Sequence, residues 1–159
     1  MFDLSKLKLD TSADIQFKPP ASDEMVGRLE KHYSHSLPEE LTTIFKKYHG
    51  GYPGSDCIEL IDEEDGLPYD MDISSFLVLD SNYESPINIW FLIKQYTNWM
   101  GENSIPFAED LAQNIFYLNY KNNNHEVWYL AHHEVEETET YKICDTFEQF
   151  LNSMYTEED

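Results

Sequence analysis

The sequence is short of positive charge, of cysteine and of long apolar runs, and each shortage excludes a class of function. Only 10 Lys and Arg stand against 31 Asp and Glu, giving a net charge of −21. No Lys or Arg occurs between Lys47 and Lys94. Such a surface repels nucleic acid and anionic membranes. The 2 cysteines, Cys57 and Cys144, lie far apart and in no C-x-x-C or finger spacing, so two reduced thiols are expected rather than a disulfide or a zinc site. The best apolar stretches, 76–79 and 89–93, are too short to span a bilayer, and MFDLSKLKLD lacks the apolar core of a signal peptide. A cytoplasmic protein is the expectation. Internal repeats and low-complexity linkers are also missing.

What is present suffices for a packed core. The chain has 159 residues, of which 41% are apolar and 14% aromatic, a composition that predicts one domain over 1–159 with a flexible acidic tail at 155–159. FKPP marks an extended entry. Ser22 is placed to cap a helix bearing Asp23 and Glu24 in its first turn, with Met25, Val26, Leu29 and Tyr33 at helical spacing and an end near Ser34. Ser36 and Glu39 have capping-box spacing and Pro38 suits a first turn, so a second helix is expected, with Leu37, Leu41, Ile44, Phe45 and Tyr48 on one face.

Beyond it, CIELI at 57–61 reads as a strand, followed by the acidic turn DEEDG and a loop through Pro68. SFLVLD at 75–80 reads as a short strand or a strand-like edge. Ser85 and Pro86 introduce a helix with Ile89, Leu92, Ile93, Tyr96, Trp99 and Met100 on one side and Gly101 as its stop, although IWFLI also fits a buried strand. IPFA at 105–108, NIFYLNY at 114–120, HEVWYLA at 125–131 and TYKIC at 140–144 read as strands, with KNNN as a hairpin turn. Thr146 and Gln149 repeat the capping-box spacing before a closing helix carrying Phe147, Phe150, Leu151 and Met154. Helices before and after antiparallel strands indicate an α+β domain. Leu41, Ile44, Phe45, Trp128, Phe147 and Phe150 are assigned to its core.

The motifs that would carry catalysis fail on spacing. HGGYPG at 49–54 follows a helix and has no lysine after it, whereas a phosphate loop precedes a helix; its glycines read as a helix stop. H-E-x-x-H needs its second histidine where Tyr129 stands, and His125 and Glu126 fall on a strand. Strand alternation sends His132 and His133 to opposite faces, which disfavours a chelate with Glu134. A calcium loop opening at Asp62 would put Leu67 where glycine is required. Neither cysteine has a histidine placed beside it, and there is no G-x-S-x-G elbow. No catalytic residue, metal or cofactor is expected, and a small hydrolase built on His125, His132 or His133 is the disfavoured reading.

The order of the blocks carries a resemblance. LPEELTTIFKKYHGGYP, then IPFAED with NIFYLNY, then HEVWYLAHHE, and finally TFEQFLNSM resemble the SUKH superfamily of Smi/Knr-type domains over most of 22–154. His49 stands where an asparagine is common, and the acidic stretch from Asp56 to Glu84 is longer than a minimal member needs. The resemblance implies helices packed on a strongly bent antiparallel sheet, and a non-enzymatic bacterial immunity protein that binds and neutralises a cognate protein toxin. A regulatory or scaffold module for an endogenous partner is the alternative. An acidic face would suit a toxin with a basic active site, such as a nuclease. On that reading Asp62, Glu63, Glu64, Asp65, Asp70 and Asp72 form the partner-binding face, joined by Glu134, Glu136 and Glu137, with Tyr52, Tyr69 and Tyr83 as aromatic anchors.

Overall fold

Local signals place the helices. The computed structural model describes residues 3–7, 9–10, 21–48, 52–53, 57–61, 68–79, 88–121, 124–132 and 138–155. Helix α1, Asp23–Tyr33, opens where Ser22 Oγ accepts the Met25 N–H at 3.2 Å, which satisfies one of the donors a helix start leaves free. It ends at Ser34, whose left-handed backbone turns its N–H back onto the Glu30 and Lys31 carbonyls. Val26, Leu29 and Tyr33 form its buried stripe.

Helix α2, Glu39–Tyr48, begins later than the Ser36/Glu39 spacing predicts. The Thr42 N–H donates to the Pro38 carbonyl at 3.1 Å, while the Leu37 N–H is taken by the Glu30 carboxylate of α1 at 2.7 Å. Leu37 is thus held by α1 ahead of the helix rather than within its first turn. Leu41, Ile44 and Phe45 are fully buried, and Lys46 pairs with Asp23 across the two helices. The glycine turn at 49–51 and Gly54 lie outside the described residues.

The stretch IWFLI is helical, within α3, Ile89–Met100. Asn88 caps it by accepting the Trp90 N–H at 3.0 Å, a role the sequence reading did not give it. Gly101, with φ of +96°, ends it in a backbone conformation open to glycine. Ile89, Leu92, Ile93 and Met100 are buried, but Trp99 is 43% exposed and so leaves the expected apolar side. Helix α4, Phe147–Asn152, has the predicted cap: Thr146 Oγ1 accepts the Gln149 N–H at 3.1 Å, and Gln149 Oε1 accepts the Asp145 N–H at 3.1 Å.

The strands make an α+β fold with three antiparallel sheets among the described residues. Strands β1, Leu9–Asp10, and β2, Tyr52–Pro53, pair with each other. Strands β3, Cys57–Ile61, and β4, Pro68–Asp72, form a ladder, and β10, Met154–Tyr155, joins the other edge of β3. The five-stranded sheet runs in chain order through β5, Ser75–Phe76, β6, Ser104–Glu109, β7, Ile115–Lys121, β8, Asn124–His132, and β9, Thr138–Cys144.

Three short strands and β4 escaped the sequence reading. The expected loop runs through Pro68 and nothing is assigned to 69–72, where aspartate is a poor strand former, yet Asp70 and Asp72 alternate with Tyr69 and Met71 and are paired along β3. Met154, expected on the closing helix, belongs to β10. The SFLVLD strand is shorter than expected: after Phe76 the chain leaves the ladder, and Val78 makes an isolated parallel bridge to Asn88 while 77–79 remain buried. Trp128 is half-buried, its indole N–H donating to Glu126 Oε1 at 3.1 Å, so it lines the core's edge.

The register breaks once between Pro106 and Ala108, leaving Phe107 as an extra residue, and once in β9 opposite the Val127–Trp128 step, leaving Ile143 extra. Such bulges bend the strand and raise its twist. Here the bulge aims Phe107 into the core, where its ring meets Phe147 at 5.1 Å and Phe150 at 5.3 Å edge to face. All six residues of β6 are buried.

Candidate functional site

The register of β3 and β4 sorts the acidic residues. Ile58 is fully buried and pairs with Met71 and Met154, which pack on the core. One step along each strand, Glu59 is registered opposite Asp70 and Cys57 opposite Asp72, and Glu59 and Asp72 are exposed. Strand alternation therefore puts positions 59, 70 and 72 on the outward face. Glu59 was not among the expected site residues, though the alternation within CIELI marks it.

Tyr69 falls opposite Leu60, out of step with these acidic positions, and Tyr52 opposite Asp10 in the β1–β2 pair. The structure thus brings together Asp70 and Asp72 of the expected surface. Asp62, Glu63, Glu64, Asp65, Tyr83, Glu134, Glu136 and Glu137 lie outside the described residues.

Next to Asp72 is a buried carboxyl pair. Asp72 Oδ2 accepts the Leu111 N–H at 3.4 Å from the turn after β6. Asp110 organises that turn by accepting the Ala112 and Asn114 N–H groups, both at 2.9 Å, the Asn114 side-chain amide at 3.1 Å and the Tyr129 hydroxyl. Glu109, beside it, is only 7% exposed. Burial, helped by the neighbouring Asp110 charge, pushes the Glu109 carboxyl up to about 7. It is registered opposite Ser75, whose buried Oγ has no hydrogen-bond partner among the described residues. In the sequence Glu109 and Asp110 merely close the IPFAED block, and burial is a property such a block does not display.

The histidines occupy separate aromatic contacts. His35 stacks on Tyr120 at 4.4 Å, and the Tyr120 hydroxyl donates to the Ser36 carbonyl at 2.6 Å, fastening the α1–α2 connection to β7. His125 is 6.0 Å from the same Tyr120 ring, and burial lowers its pKa against the raising influence of Glu40. His32 meets Tyr33 and Trp90 edge to face. Among the described residues no group of His, Cys, Asp and Glu is placed to hold a metal ion. Cys57 and Cys144 are free thiols, as the spacing predicts; burial pushes the Cys144 thiol up to about 12, which leaves it unreactive at neutral pH. No helix among the described residues is long and apolar enough to cross a membrane.

A cleft of about 360 Å³ lies between the end of α1 and the flank of α3, lined by His32, Tyr33, Ile93, Thr97, Glu102 and Asn103.

Four α-helices packed with antiparallel sheets, one of them carrying carboxylates on its outward face, define an α+β domain. The profile of the SMI1 / KNR4 family (SUKH-1) matches residues 20–153, and the chain belongs to that family. No curated protein and no solved structure gave a match. Among the described residues the matched span includes all four α-helices and the whole five-stranded sheet, whereas a 3-10 turn at Leu4–Leu7, β1 and β10 lie outside it.

Proposed function

We propose that this protein is a non-enzymatic immunity factor: a single domain over 1–159 that binds a cognate bacterial toxin in the cytoplasm and occludes a basic active site with its acidic face. The observation that carries the reading is the interval between Lys47 and Lys94, which holds ten acidic residues and no basic one in a chain of the SMI1 / KNR4 family. Carboxylates grouped in this way attract a site built to grip phosphate, and long-range attraction accelerates the encounter. Asp62, Glu63, Glu64, Asp65, Asp70 and Asp72 form this face, with Glu134, Glu136 and Glu137 extending it and Tyr52 and Tyr83 supplying aromatic contacts, whereas Tyr69, out of step with Asp70 along β4, takes no part. Glu59 supports it from the neighbouring strand, as its register opposite Asp70 places both on the outward face.

Co-expression with the product of the adjacent toxin gene tests the proposal directly. Growth is restored and the two proteins co-purify if it holds. Continued killing, with no complex recovered from cells that contain both proteins, overturns it.

A further inference from the structure

The cleft between α1 and α3 has the chemistry of a receptor and uses different elements from the acidic sheet face. His32 and Tyr33 come from the last turn of α1, Ile93 and Thr97 from α3, and Glu102 and Asn103 from the turn into β6. Each part is held in place. Ser34 stops α1 just after Tyr33, Gly101 redirects the chain just before Glu102, and the Asn103 carbonyl is fixed by the Tyr120 N–H at 3.0 Å.

The lining presents aromatic walls and acceptors. The His32 and Tyr33 rings meet at 4.8 Å and 81°, making a corner. Thr97 donates its hydroxyl hydrogen to the Ile93 carbonyl and so offers the cleft its oxygen lone pairs. Glu102 adds a carboxylate and Asn103 an amide oxygen. Aromatic faces and carboxylates both attract cations, and a planar guanidinium satisfies them together by stacking on a ring while its N–H fork reaches carboxylate and amide. An ammonium cannot stack in this way. The same surface already uses such a contact, since the Arg28 guanidinium lies 5.8 Å from the centre of the Trp90 ring, which meets His32 at 85°. Arg28 opposes a second cation nearby, but the net charge of −21 favours one.

We infer that the α1–α3 cleft receives the guanidinium of an arginine side chain presented by the basic partner. This rests on the proposed partner being basic; a second copy of this chain, as acidic as the first, is repelled.

The test uses N-acetyl-arginine amide as probe, titrated into the isotopically labelled full chain and followed by NMR. Saturable shifts at Thr97, Glu102 and Asn103 are expected, with N-acetyl-citrulline amide, the uncharged isostere, binding about tenfold more weakly or less. Glu102→Gln weakens arginine binding about tenfold, whereas Glu148→Gln, which removes an exposed charge of α4 instead, leaves it unchanged. Equal binding of citrulline, equal loss in both variants, or shifts absent or confined to Glu59 and Asp72 each overturn the inference. No toxin enters this titration, so its failure is distinct from a failure of growth rescue.

Discussion

At the scale of single residues, Glu109 is where burial alters chemistry most. Its carboxyl is raised from 4.5 to about 7, burial being the larger cause. The folded protein therefore keeps a proton that the unfolded chain releases. The stability this contributes is fully present below pH 4.5 and is lost as pH rises through about 7, where the carboxylate must be buried charged. His125 acts in the opposite sense: with its folded pKa lowered, its contribution is present above the ordinary histidine value and lost as pH falls. Urea unfolding of the parent and of Glu109→Gln between pH 4.5 and 8 separates the two. The difference between the profiles should grow with pH up to about 7 and then level off; a constant difference would show that Glu109 ionises as freely folded as unfolded. Sequence alone gave no hint of this, because Glu109 reads like any other carboxylate among 31 acidic residues.

At the scale of elements, caps and packing differ in weight. Removing the α4 cap with Thr146→Ala should cost about 1 kcal/mol, since one N-terminal donor loses its acceptor. Phe107→Ala should cost about 3–5 kcal/mol, because that ring fills the space between the sheet and both phenylalanines of α4. Chemical denaturation checks the order, and a cap variant as damaging as the core variant would contradict it. The caps at Ser22 and Thr146 were legible because each is a contact between residues three apart. The Ser36 spacing misplaced the start of α2, which opens only at Glu39, and the hold of Glu30 on the Leu37 N–H, seven residues apart, is not a contact that local spacing displays. The bulge at Phe107 was hidden as well: the sequence shows an aromatic in a strand and not the register shift that turns it inward.

At the scale of the whole molecule, charge is the property that reaches furthest. If the proposed function holds, charge reversal at Glu63 and Glu64 should slow association with the cognate toxin at low salt, by roughly tenfold, and the difference should shrink as salt is raised. Binding rates that match the parent at low and at high salt would remove these two residues from the interface. The family was legible because its blocks are long and follow in order, and the profile match over 20–153 agrees with them.

By itself the sequence determined α1, α2 and α4, the longer strands of the five-stranded sheet and the sign of the surface, while IWFLI, equally apt for a buried strand, became α3 only in the fold. These depend on caps, on apolar spacing along one segment and on composition, all of which are short-range or additive. Tertiary structure decided the rest: that PYDMD pairs along β3, that Met154 leaves its helix to join the same sheet, and that Glu59 and Asp72 share the outward face. It also set the protonation of Glu109 and opened the cleft between α1 and α3. A two-residue strand exists only where a distant partner supplies its hydrogen bonds, and a carboxyl's affinity for its proton depends on what surrounds it. Neither is written in the neighbouring residues.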